Sequence, residues 1–117
     1  MNHQLFIEVC IEALGLKRGT TVTVVDADQT FDPADEVCEG FCMSSRHRHI
    51  IEVVTKGTRS VRSLIAHELV HAYVEENHPR AEWHGRVFIR MASYLESYLD
   101  ECGYTLDDEI YLEDADQ

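Results

Sequence analysis

The sequence has no long apolar run. No stretch approaches the roughly twenty residues that a membrane span needs. The opening MNHQLFIEVCIEALGL has no cationic start and is broken by Glu8 and Glu12, so it does not read as a secretion signal. A soluble, cytoplasmic protein is the expectation. Cysteine is sparse: Cys10, Cys38, Cys42 and Cys102, with no C-x-x-C pair. In a reducing compartment these are thiols, and a Cys10–Cys102 or Cys38–Cys42 disulfide would need an oxidising setting. Positive charge is scarce too, with 10 Lys and Arg against 22 Asp and Glu, a net charge of −12. No base follows Arg90, whereas nine acids do. Affinity for a phosphate backbone rests on cationic side chains that release counterions, so this balance argues against direct nucleic-acid binding.

What is present fits one α+β domain. The chain has 117 residues, 44% of them hydrophobic, enough for one core and little more. Leu5, Phe6, Val9, Ile11 and Leu14 recur at helical spacing before Gly15, which predicts an N-terminal helix. Thr21–Val25 is β-branched and predicts a strand, Gln29–Gly40 a loop containing Pro33, and residues 48–55 a firm strand after a turn near Ser44–Arg46. Thr58 or Ser60 is the N-cap of a second helix running from Val61 to about Asn77, stopped by Pro79. A third helix is predicted from about Ala81 to Asp100, with Val87, Phe88, Met91 and Leu95 as its apolar stripe. No repeat or interdomain linker is visible. The division is a domain over residues 1–102 and an acidic tail over 103–117, part of which Tyr104, Ile110, Tyr111 and Leu112 could dock on the body.

His67-Glu68-Leu69-Val70-His71 is an H-E-x-x-H sequence. On a helix, residues four apart share a face, so both imidazoles can reach one ion. Catalytic zinc sites use three protein ligands and leave a position for water. Glu68, at the edge of that face, is placed to act on the water as a general base rather than to ligate. The plainer reading is a helix with two surface histidines and a solvated glutamate.

The third ligand has several candidates. The metzincin position falls on Asn77, with Val74 where a glycine is required, so that pattern fails. His78 abuts Pro79 where the helix must end, and reads as a loop residue. Glu75 and Glu76 lie too close to His71 on its own helix, while Glu82 and Glu96 stay open on spacing alone. His84 is the better choice: after the turn at residues 77–80 the chain can reverse and bring it back to His67 and His71. Gly85 permits close backbone approach, and Phe88 can pack beneath the site.

HELVH followed by WHGRVF resembles the SprT-like metalloproteases, whose pattern is H-E-x-x-H, a short connection, then H-G-x-x-F on the next helix. The matched positions are His67, Glu68, His71, His84, Gly85 and Phe88, and the likeness is specific between about Ser60 and Leu95. The resemblance implies a small zincin fold with a short mixed or antiparallel sheet. It also implies zinc bound by His67, His71 and His84, Glu68 as general base, and a protein or peptide substrate. The paired cysteines of the zinc ribbon found in larger members are missing, and so are the basic DNA-binding parts of Spartan. The alternative is a non-catalytic zinc-containing binding protein whose acidic surface recognises a partner, such as a DNA-binding protein for which it is a decoy.

Other features have bland readings beside sharper ones. Cys38 and Cys42 with His47 and His49 could make a second zinc site, but the spacing favours two thiols flanking a loop. On the strand from residue 48, a histidine along the cleft could stabilise an oxyanion, as could Tyr73 or Tyr94; a solvated strand end is the simpler account. Trp83 reads as a packing anchor or a cleft wall. The acidic tail reads as a solvated end, with self-inhibition by covering the cleft as its sharper reading.

Overall fold

The computed structural model describes residues 3–25, 40–54, 60–106 and 110. Helix α1 spans Gln4–Leu14 and stops at Gly15, whose φ of 65° is the left-handed turn that glycine adopts without a Cβ penalty. Three strands follow, β1 (Gly19–Val25), β2 (Gly40–Ser44) and β3 (Arg48–Val54), in the order β1-β3-β2. β1 runs parallel to β3 and β2 antiparallel, so the sheet is mixed. Strand β3, expected over residues 48–55 and described over Arg48–Val54, is therefore the centre of the sheet. Among the described residues, β1 and β2 are its edges.

Register sets the two faces. His49, Ile51 and Val53 of β3 are buried, while Arg48 and Ile50 face outward. The pairings Val22↔Ile51 and Cys42↔Ile51 put those residues on the inner face. The helix that follows β3 covers that face, and the other two helices pack on that helix.

Helix α2 spans Val61–Asn77, and Ser60 caps it by accepting the Ser63 amide at 3.1 Å. Every residue from Ser63 to Ala72 is buried. A helix buried all round is the centre of its domain rather than a wall of it. Helix α3, Arg86–Glu101, buries one stripe, Phe88, Ala92, Leu95 and Leu99, and leaves the opposite side wet. Beyond it Tyr104 meets Phe6 edge-on at 5.4 Å, and the Arg62 guanidinium lies over both rings. Ile110 is fully buried in the same core. No helix among the described residues is long and apolar enough to cross a membrane.

One boundary differs from expectation. The third helix begins at Arg86, not near Ala81, so His84 is not carried on a helix. Two turns replace the missing first coil: the Ala81 amide bonds His78 O at 2.9 Å, and the Gly85 amide bonds Glu82 O at 3.2 Å. Gly85 is then the N-cap, with an extended backbone. A Cβ there would lie 2.7 Å from Glu82 Cβ, a contact that neither side chain could relieve by rotating.

Candidate metal centre

Helix α2 places His67 and His71 one turn apart, and their rings meet at 4.9 Å. The double turn after Pro79 folds His84 back onto them. His84 Nε2 is 3.1 Å from His67 Nε2 and 3.0 Å from His71 Nε2. The ligand atoms of the three all lie within 4.8 Å of one another, and no other His, Cys, Asp or Glu among the described residues joins a group of this kind. Cys38 lies outside the described residues, so the second-site reading is carried only by its neighbours: Cys42 is half-buried and His47 is exposed.

The hydrogen accounting favours a cation at this point. His67 Nδ1 donates to Ile110 O at 2.7 Å, which leaves the lone pair of the neutral ring on Nε2, facing the cluster. His84 Nε2 can carry one hydrogen at most, yet it has two imidazole nitrogens at bonding distance. Burial first, and then electrostatic interaction with the His67 and His84 rings, pushes His71 down to about 3, so it stays neutral through the physiological range. Neutral imidazole is the form that binds metal. Tetrahedral zinc with nitrogen ligands at 2.0–2.1 Å separates its donors by about 3.3 Å, close to the two distances from His84 Nε2. The residues present fit the ion.

Aromatic rings hold the ligands in place. Phe88, fully buried, touches all three imidazoles with ring centroids 4.5–4.8 Å away and forms the floor. Trp83 stacks on His71 at 4.1 Å with the planes 21° apart, although it is itself 64% exposed. It is therefore a wall of the site on the solvent side.

Glu68 is buried, at 6% exposure, and its carboxylate turns toward β2. A Cβ on Gly40 would lie 3.3 Å from Glu68 Oε2. At the other end of β2, Ser44 pairs with His49, which bonds Glu76 on α2. Four residues of strand cover about 13 Å and eight residues of helix about 12 Å, so β2 runs alongside α2 in the same direction. It passes Glu68 first and Glu76 last. Cys42 sits between them; burial, then the nearby Glu68 and Glu75 carboxylates, push its thiol up to about 11 despite the Ser44 hydroxyl, so it is a poor ligand and nucleophile.

His49 is neither an oxyanion donor nor a solvated strand end. It is fully buried, bonded through Nδ1 to Ser44 Oγ at 2.6 Å and through Nε2 to Glu76 Oε2 at 2.7 Å. Glu76 also accepts the Lys17 and Arg18 amides. The signal in the sequence for this network is strand alternation, which puts His49 on the same face as Ile51 and Val53. Tyr73 meets the His78 ring and Tyr94 the Tyr98 ring, each at 6.1 Å. Glu96, open as a ligand on spacing alone, instead accepts the Ile110 amide at 2.6 Å. No family model matches the chain, and no curated protein matches it.

Proposed function

We propose that the protein is a zinc-dependent metallopeptidase of SprT-like type. The observation that carries this reading is the convergence of His67, His71 and His84 through their Nε2 atoms beside a buried glutamate, with only three protein ligands in the group among the described residues. Three ligands leave a coordination position for water, whereas structural sites are closed by four. Zinc held there supplies a Lewis acid that polarises the scissile carbonyl and acidifies water.

The chain's own residues do the rest. Glu68 takes the proton of the attacking water and returns it to the leaving amine. Trp83 shields His71 from solvent. Among the described residues β2 is an edge strand, the kind of element that an extended peptide pairs with, and its Gly40 lies against Glu68. The substrate class is thus an extended stretch of protein or peptide. The scarcity of bases keeps nucleic acid out of the proposal.

Trp83 is the only tryptophan, and it stacks on a ligand, so its emission should report zinc binding directly. Glu68→Gln should bind zinc as the wild type does and lose hydrolysis of an unfolded protein substrate by about 10²–10⁴-fold. Undiminished cleavage by that variant would remove the mechanism. A protein that binds zinc but never cuts, with a fourth protein ligand found on the metal by spectroscopy, would instead be the zinc-containing binding protein.

A further inference from the structure

Ile110 is flanked in sequence by acids, Asp107, Asp108 and Glu109 before it and Glu113 and Asp114 after it. Yet its side chain is fully buried and its backbone is held at both ends. Its amide donates to Glu96 Oε1 on α3 at 2.6 Å, and its carbonyl accepts from His67 Nδ1 on α2 at 2.7 Å. One residue therefore bridges the two helices on either side of the His84 turn, and one of its two bonds ends on a histidine of the cluster.

We infer that Ile110 is a latch: docking of the C-terminal segment and metal binding at the histidine cluster are coupled, with Glu96 and Ile110 as positioning residues for His67. The inference rests on the metal reading above. The carbonyl fixes the ring orientation and tautomer of His67, which leaves the Nε2 lone pair on the cluster side. Partners of this kind behind a ligating histidine typically change metal affinity 10–100-fold. Coupling of this sort is reciprocal, so metal must hold the segment down by the same factor. The attachment is a balance. Among the described residues the buried Ile110 side chain and its bonds to Glu96 and His67 favour docking, and the repulsion between the acids that flank it in sequence and a chain of net charge −12 opposes it. A cation at His67, His71 and His84 tips that balance toward the docked state.

The latch can be read without any activity assay, because its own hydrogen bond is an exchangeable amide. In the full chain, zinc should slow hydrogen exchange at the Ile110 amide by 10–100-fold. Glu96→Ala and Ile110→Ala should each weaken zinc by about the same factor in competition with a chromophoric chelator, and Glu96→Gln, which keeps an acceptor oxygen, should recover most of the loss. Leu14→Ala, a core truncation on α1, controls for general destabilisation and should bind zinc as the wild type does. The inference is overturned if Ile110 exchanges equally with and without zinc, or if both alanine variants bind zinc normally. It also falls if Leu14→Ala weakens zinc as much as they do. A wild type that binds no zinc would overturn the metal reading, and the latch with it.

Discussion

Helix α2 borders two histidine arrangements, one at its middle and one at its C-terminal end, and the two are built on opposite principles. At the C-terminal end, His49 faces a hydroxyl and a carboxylate, and that carboxylate also takes two backbone amides. Each nitrogen of the ring has a partner of another chemical kind. At the middle of the helix, the Nε2 atom of His84 lies 3.0–3.1 Å from the Nε2 atoms of His67 and His71. Complementary partners make a histidine part of the scaffold; like partners leave lone pairs that converge on a point in space. Burial alone does not separate the two cases, since His49 is the more buried of the set. What separates them is what each nitrogen faces.

Substitutions at the two sites should fail in different ways. The largest effect is expected from His84→Ala. A structural zinc site is worth about 10–16 kcal/mol over four ligands, so one lost ligand should weaken zinc by about a hundredfold to a thousandfold. Chemical denaturation of the metal-free protein should barely change. His49→Ala should do the reverse. Removing one partner of a buried pair costs about 3 kcal/mol, read as a lower denaturation midpoint, while zinc affinity stays that of the wild type. If both variants lost zinc and stability together, the division between scaffold and site would be wrong.

Smaller effects sharpen the same contrast. Gly85→Ala drives a Cβ to within 2.7 Å of Glu82 Cβ and must shift the turn that carries His84. Zinc affinity should fall about tenfold while α3 still forms, as judged by far-ultraviolet circular dichroism. The smallest effect concerns acid. Burial alone would raise Glu76, but the Lys17 and Arg18 amides and then His49 outweigh it and hold the carboxyl below its ordinary value of 4.5. A lowered carboxylate contributes stability that is complete above its unfolded pKa and is lost as pH falls through its folded one. Glu76→Gln should therefore flatten the fall in stability below about pH 4.5, measured by denaturation across that range.

The contrast also explains which parts could be read in advance. The H-E-x-x-H helix was legible because its spacing is local: four residues on one helix decide which side chains share a face. His84 was reachable because Pro79 must break α2 and the next histidine lies one short turn away. The first coil of α3 was misjudged because the apolar stripe from Val87 onward extends smoothly backward on paper, whereas Gly85 ends it by its contact with Glu82. The role of His49 depended on Glu76, 27 residues later, and on a register that sets Ser44 opposite it. Pairing across a sheet leaves no mark on the spacing within one strand. Ile110 was named as a docking residue, but a lone apolar residue among acids has no period, so nothing pointed to His67 as its partner.

That partnership has a consequence in time. His67 and Ile110 are 43 residues apart. At ~5–20 residues per second, the ribosome delivers the motif roughly two to nine seconds before the carbonyl that orients its first histidine. A nascent chain therefore displays the two histidines and the glutamate before the support behind them exists. The part of the sequence that announces the chemistry is made first, and the part that steadies it is made 43 residues later.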